Sequence, residues 1–423
     1  MKIKNIKIGI LGLGYVGLPI AIEFGKKYNV IGFDTNKERV KHLLKKYDKN
    51  GDYSKKDFDN SKYLNFSNYI NDLNTCNVFI VCVPTPVTKF KKPNLRFVKL
   101  ACHNLSLILK KNDTVIFEST VYPGMTEEFC IPILEKKSNL LLNKDFYCGY
   151  SPERINPNDK KHRLTNIVKI TSGSNTKTSI FIDNLYKSII KAGTFRAKSI
   201  KIAEAAKVIE NTQRDLNIAF MNELSVIFNK LNIDTSEVLK AASTKWNFIN
   251  FKPGLVGGHC IGVDPYYLSY RSKLAGYNPK IINAGRLVND QFVNFIANKS
   301  IYETKKIFPK QKLNFLVLGL TFKENCNDFR NSKSIELVKK LIKEKFVVHC
   351  FDPHIDKSDY KNFKKLNFKY QPKNNFYHCI IISVSHKYFK LMGQNKISTF
   401  LNRNGIIFDI KNTLPKSINN VYL

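Results

Sequence analysis

The segment Lys7-Ile8-Gly9-Ile10-Leu11-Gly12-Leu13-Gly14-Tyr15-Val16-Gly17 decides the fold. A strand-length apolar run meets three glycines spaced G-x-G-x-x-G, and an apolar helical pattern from Leu18 to Lys27 follows at once. Strand, glycine turn and helix in that order open a βαβ unit. A second strand, Asn29 to Phe33, ends at Asp34, 20 residues past Gly14. Gly12 and Gly14 permit a tight turn and close approach of backbone to a pyrophosphate, and Gly17 permits close helix–strand packing. A carboxylate at Asp34 stands where ribose hydroxyls are bound, and it repels the 2′-phosphate of NADP. The pattern therefore points to NAD, although Lys37 and Arg39 nearby weigh the other way. Gly12, Gly14, Tyr15, Val16, Gly17, Asp34 and Arg39 are the candidate cofactor residues of this turn. Its bland alternative is a glycine packing turn.

Outward from this unit, further apolar runs stop at turn chemistry. Val78 to Val83 ends at Pro84-Thr85-Pro86, Thr114 to Phe117 at Glu118-Ser119-Thr120, and Phe146 to Tyr150 at Ser151-Pro152-Glu153. Helical patterns separate them, which predicts a parallel α/β sheet. Thr85, Thr120 and Glu153 then sit just past the C-terminal ends of successive strands, where open α/β sheets bind ligands. Ordinary turn residues and helix caps explain them equally well.

From Ser199 to about Leu231 no Pro or Gly interrupts a helical pattern, and the chain stays mostly helical to about residue 305. A second α/β unit follows: Phe315 to Leu320, a helix from Ser334 to Lys345, Val347 to Asp352, Cys379 to Val384 and Gly405 to Ile410. The fold expected is α/β, with two Rossmann-like domains, each on a parallel sheet, joined by a long central helix. Residues 1–198 form the NAD-binding domain, 199–305 a central helical region and 306–423 the second Rossmann-like domain.

Within the central region, Gly257-Gly258-His259-Cys260-Ile261-Gly262-Val263-Asp264 places one cysteine among glycines, beside a histidine and four residues before a carboxylate. A thiol there has flexible backbone for substrate approach and a polar neighbour favouring thiolate. With a nucleotide cofactor, such a thiol implies oxidation at the aldehyde level through a thioester. The alternative is an inert core cysteine. Lys207 and Asn211 are four apart on the long helix and share a face. Two donors there suit a developing oxyanion, while in so lysine-rich a chain Lys207 also reads as a solvated side chain. His259 lacks a second ligand pair at zinc spacing, so no metal is expected.

Composition narrows the class. The chain has 423 residues, 43% of them hydrophobic, enough for two or three domains with cores of their own. Its apolar runs are strand-length, far short of a bilayer span. Nine cysteines without a CxxC pair argue against a disulfide framework. With no signal-peptide pattern at the N-terminus, cytoplasm is the expected compartment. The net charge of +35 invites a nucleic-acid reading, but the lysines are scattered in pairs and no basic tail appears, so no specific nucleic-acid or membrane partner is expected.

Taken together, the chain resembles the UDP-glucose/GDP-mannose dehydrogenase family over nearly its whole length. The resemblance runs through Gly12-x-Gly14-x-x-Gly17, Val83-Pro84-Thr85-Pro86, Glu118-Ser119-Thr120-Val121-x-Pro123-Gly124, Ser151-Pro152-Glu153-Arg154 and Ala206-Lys207-x-x-x-Asn211. It continues through Gly257-Gly258-His259-Cys260, Phe322-Lys323 and Asp328-x-Arg330. Thr244-Lys245-Trp246-Asn247-Phe248 and Pro253 to Leu268 resemble the branch that oxidises UDP-N-acetylhexosamines for surface polysaccharides. Val263 stands where the UDP-glucose branch carries lysine, and Pro157 where it carries a second glutamate.

The resemblance implies two successive NAD-dependent oxidations of the sugar's carbon-6 alcohol. Cys260 would hold the aldehyde as a thiohemiacetal and then as a thioester. Lys207 and Asn211 would stabilise the oxyanion, and a water-linked base beside Lys207 or Asp264 would take the hydroxyl proton. Glu153, with Thr120 and Asp264, would assist hydrolysis. Thr85, Thr120 and Arg330 join the cofactor residues. Glu153, Arg154, Lys207, Asn211, Gly257, Arg286 and Lys323 are the candidate substrate contacts, the last near UDP on the C-terminal domain. The long helix resembles the family's dimer-forming element, so a homodimer is expected. Open alternatives are UDP-glucose or GDP-mannose as substrate, a cofactor-binding protein in which Cys260 is structural, and a nucleic-acid binder.

Overall fold

The computed structural model describes residues 5–155, 162–355, 359, 366–369, 371–415 and 420–422. The chain divides into two compact units, residues 1–210 with 266–278, and residues 211–265 with 279–423.

The first unit is built on an eight-stranded sheet. Its strands are β1 (Lys7–Leu11), β2 (Asn29–Phe33), β3 (Leu64–Ser67), β4 (Val78–Val81), β5 (Thr114–Phe117), β6 (Tyr147–Tyr150), β7 (Lys169–Gly173) and β8 (Thr194–Arg196). Their spatial order is β3-β2-β1-β4-β5-β6-β7-β8. All four residues of β4 and of β5 are buried, as expected for strands covered on both faces. Leu11, Val81, Phe117 and Tyr150 lie in register across β1, β4, β5 and β6, so these four strands end together. The chain leaves β1 for β2 on one side and returns to β4 on the other, which makes a topological switch point at that edge.

One pairing departs from the expected parallel sheet: β7 runs antiparallel to β6, with Gly149 opposite Gly173 and Tyr150 opposite Ser172. The sequence Lys-Ile-Thr-Ser-Gly of β7 lacks the apolar run that marked the other strands. The same holds for Leu-Asn-Phe-Ser in β3 and the three residues of β8, none of which the sequence reading anticipated.

A helix runs from Ile200 to Leu231, as the unbroken pattern predicted, and others span Asp264–Leu274 and Lys280–Ile307. The second unit carries a parallel sheet of β9 (Asn314–Leu318), β10 (Val347–Phe351), β11 (Tyr377–Ile382), β12 (Leu401–Asp409) and β13 (Asn420–Tyr422), ordered β10-β9-β11-β12-β13. Phe292, Val293, Ile296 and Ala297 of the Lys280–Ile307 helix share a core with Phe315, Val317, Val348 and Ile381 of that sheet. This is the i, i+1, i+4, i+5 stripe of a helix laid on a sheet. Among the described residues no helix is long and apolar enough to cross a membrane.

Candidate active site

The glycine turn is shaped for a ligand. Gly12 has φ +93°, and a Cβ there would meet the Cys82 carbonyl at 2.8 Å. A Cβ on Gly17 would sit 1.8 Å from the Gly12 carbonyl, so the helix Gly17–Phe24 approaches the turn as only glycine allows. A Cβ on Gly14, by contrast, would meet nothing within 4 Å. The turn thus leaves open space just ahead of a helix N-terminus, the environment a pyrophosphate takes. Asp34 accepts from the Leu13 amide at 2.9 Å and from the Asn36 amide at 2.9 Å.

Arg39 also does a job that the sequence did not show. Its Nε donates to the Leu13 carbonyl at 3.0 Å and its Nη1 pairs with Asp48 at 2.8 Å, so it braces the turn from outside. Its Nη2 is buried without an acceptor among the described residues, a donor that a ribose oxygen would satisfy. These features fit NAD.

Thr85, Thr120 and Glu153 follow the ends of β4, β5 and β6, and the aligned register brings all three to one edge of the sheet. Tyr267 donates its hydroxyl to the Thr85 carbonyl at 3.0 Å. Ser119 Oγ bonds the Val83 carbonyl at 2.7 Å. Past Thr120 the loop is held by Glu204 of the long helix, which accepts from the Gly124 amide at 2.5 Å and the Thr126 amide at 2.9 Å. Glu204 is fully buried, and burial pushes its carboxyl up to about 7.

Glu153 is buried, with Oε1 accepting from the amides of Arg154 at 2.6 Å and Ile155 at 2.7 Å. Its Oε2 faces Lys169 Nζ at 3.3 Å, and the same ammonium lies 2.5 Å from Glu118. Arg154 pairs with Glu210 at 2.8 Å and donates to the Val168 carbonyl at 2.8 Å. Pro157 lies outside the described residues.

In the second unit, the loop bearing Cys260 is docked tightly. Asn222, fully buried on the long helix, pairs with both sides of Gly254: its amide donates to the Gly254 carbonyl at 3.1 Å and its oxygen accepts from the Gly254 amide at 2.8 Å. Gly258 has φ +86° and donates its amide to the Asn331 carbonyl at 3.1 Å. A Cβ on Gly258 would meet the Phe322 ring at 2.6 Å, and one on Gly257 the Asn331 carbonyl at 2.6 Å. These glycines therefore serve close packing of the loop on the Phe322–Lys333 segment, and the flexibility read from the sequence is not their role. Cys260, whose carbonyl accepts from the amides of Val263 at 3.0 Å and Asp264 at 2.9 Å, is exposed, while the other eight cysteines are buried.

His259 turns toward Asp328 (3.4 Å) and Asn331 (3.3 Å). Asp328 also holds Arg330, at 3.0 Å and 2.6 Å. Burial would raise the Asp328 carboxyl, but His259 and Arg330 outweigh it and hold it well below the usual range. Asn211 donates to Asp264 at 2.6 Å, both being buried, and Lys207, also buried, lies one turn before Asn211 on the same face of the long helix. The reading of Lys207 as a solvated lysine is thereby excluded. Val263 is buried. Lys323 joins Lys333, Lys411, Ser332 and Ser334 around a small cleft. A larger cleft of about 230 Å³ is lined by Leu239, Lys240, Phe251, Lys252, Pro253 and Lys411, among others.

Arg286 was expected at the sugar or diphosphate. It is 4% exposed, with Nη1 2.5 Å from Asp215 and Nη2 2.8 Å from Asp290. Asn289 donates to the same Asp215 carboxylate at 2.7 Å. A guanidinium engaged by two carboxylates is a structural brace, and it lies against the cysteine loop, 4.0 Å from where a Cβ on Gly262 would stand. Asp215, Asn222 and Asn289 were missed in the sequence. Their signal was a polar stripe, Lys207, Asn211, Asp215 and Asn222, at helical spacing along one face.

Comparison with known proteins gives the class. Residues 6–190 match the NAD binding domain of the UDP-glucose/GDP-mannose dehydrogenase family, residues 201–291 its central domain and residues 316–416 its UDP binding domain. The chain belongs to this family, its cofactor is NAD, and it is an NAD-dependent UDP-sugar dehydrogenase. It is 49% identical over 422 residues to the UDP-N-acetyl-D-glucosamine 6-dehydrogenase of Salmonella typhi, covering 100% of this chain and 99% of that one. Identity to the Pseudomonas aeruginosa protein of the same name is 47%, over 98% of each chain. A solved structure of UDP-D-ManNAc dehydrogenase from Pyrococcus horikoshii superposes with a TM-score of 0.86 at 28% identity, covering 99% of this chain and 98% of that one.

Proposed function

We propose that this protein oxidises the carbon-6 alcohol of UDP-N-acetyl-D-glucosamine to the carboxylate, releasing the uronic acid for surface polysaccharide synthesis. The observation that carries the reading is Cys260: an exposed thiol, in a loop anchored by Asn222 and Asn331, in a chain with a turn shaped for NAD. The Salmonella typhi and Pseudomonas aeruginosa relatives support this choice of sugar by their names.

Gly12, Gly14, Tyr15, Val16, Gly17, Asp34 and Arg39 hold NAD at the turn, with Thr85, Thr120 and Arg330 as further contacts. When bound, NAD supplies a hydride acceptor for each of the two oxidations. A base, through water beside Lys207 or Asp264, takes the hydroxyl proton in the first oxidation. The Cys260 sulfur then adds to the aldehyde carbon, and Lys207 and Asn211 donate to the resulting oxyanion. The Asn211 amide is aimed by its bond to Asp264, which leaves its second N–H for that task. After the second oxidation Glu153, with Thr120 and Asp264, accepts a proton from water as it attacks the thioester carbonyl. The C–S bond breaks and the thiol is restored. In total one alcohol, two NAD⁺ and one water give one carboxylate, two NADH and three protons.

Lys323, Lys333 and Lys411 bind the diphosphate, and the Phe251–Pro253 cleft takes the uridine; Arg154 and Gly257 are further substrate contacts in this reading. In this division residues 1–198 bind NAD, 199–305 carry Cys260 and the surface of a homodimer, and 306–423 bind UDP. The protein works in the cytoplasm, where NAD and UDP-sugars are made.

The test is the yield of NADH per sugar. UDP-N-acetylglucosamine should give two NADH and a carboxylate product. One NADH with free aldehyde overturns the thioester route, and turnover of UDP-glucose alone overturns the N-acetylhexosamine assignment.

A further inference from the structure

Lys169 has no part in the scheme above, yet its ammonium is 2% exposed and lies between two carboxylates that are themselves buried, 2.5 Å from Glu118 and 3.3 Å from Glu153. The reversal of β7 accounts for this. Continuing the register of Gly149 with Gly173 and Tyr150 with Ser172 past the last pair brings Lys169 level with Glu153. Glu118, next to the end of β5, takes the other side of the ammonium, and the Tyr186 hydroxyl donates to its second oxygen.

We infer that Lys169 is a positioning residue, whose ammonium fixes the Glu153 carboxylate for the attack of water on the thioester. The inference rests on the reading of Glu153 given above. One oxygen of Glu153 is fixed by two backbone amides, so the other is the one free to turn, and Lys169 grips it. Lys169 is in turn anchored by Glu118, so the grip does not depend on a flexible surface chain. Without the ammonium, two carboxylates would share a dry cluster and one would take up a proton. Burial already pushes Glu118 up to about 7 even with Lys169 beside it. Burial likewise raises the other titratable groups in reach, Cys82, Tyr186 and Tyr53, so they stay neutral and supply no charge to hold Glu153 in place of Lys169.

The test compares folded Lys169→Met, Lys169→Arg and Glu153→Gln enzymes on UDP-N-acetylglucosamine. Lys169→Met should lower kcat about tenfold or more and leave KM within about threefold. Acid-quenched Lys169→Met enzyme should carry the acyl group on Cys260, and Lys169→Arg should recover most of the rate. Should Lys169→Met fold poorly, Lys169→Met with Glu118→Gln keeps the net charge of the cluster and should show the same fall in kcat. A wild-type kcat in either folded variant overturns the inference. Unchanged turnover in Glu153→Gln removes the reading of Glu153 itself, whatever Lys169 does, so the two failures are told apart.

Discussion

Cys260→Ser should lose at least about 1,000-fold in the formation of the uronic acid while binding NAD as before, because a hydroxyl is a far weaker nucleophile than a thiolate and a poorer leaving group from the acyl intermediate. Removing the sulfur should also change what accumulates. If the first oxidation survives, the variant stops after one NADH and leaves an aldehyde or its hydrate; wild type goes on to two. Stopped-flow NADH absorbance with product mass spectrometry reads both. The cofactor turn belongs to the first unit and Cys260 to the second, so unchanged NAD affinity is the internal control. A variant that still yields two NADH at a near wild-type rate would return Cys260 to a structural role.

Arg286→Ala should cost about 3–5 kcal/mol of stability, because it strands the Asp215 carboxylate in a fully buried site. Burial already raises the Asp215 carboxyl against the pull of Arg286. Without that pull the folded state holds its proton to still higher pH. The native state then binds more protons than the unfolded chain between the ordinary carboxylate range and the raised value, so the variant's stability falls as pH rises through that window. Urea melts at about pH 5 and about pH 8 check this: the deficit relative to wild type should be the smaller at about pH 5. A variant as stable as wild type, with only a raised KM for the UDP-sugar, would restore Arg286 to the substrate.

What the sequence made legible follows from this. Strand ends and glycine turns are local, so the cofactor turn, the three residues past β4, β5 and β6, and the cysteine loop were all readable from spacing. The polar residues behind them were not. Lys169 and Glu204 carry no signal in the sequence and Glu118 only that of turn chemistry, yet all three are buried. Their partners lie far off in the chain, 51 residues from Lys169 to Glu118 and 68 from Tyr186 to Glu118. Hydrophobic periodicity sorts residues into inside and outside and has no category for a charge brought inside with its partner. The same blindness hid the two carboxylates that hold Arg286. Short strands such as β3 and β8 escaped for a simpler reason: too few residues to show a period.

The distribution of sulfur has a practical side. Of nine thiols in the chain, one faces solvent and eight lie in the interior. An alkylating reagent meeting the native chain therefore finds a single fast-reacting handle, and the remaining eight open only as the structure comes apart. Counting labels by mass then reports two quantities from one sample: the first equivalent gives the concentration of competent sites, and the later ones the fraction of molecules that have unfolded.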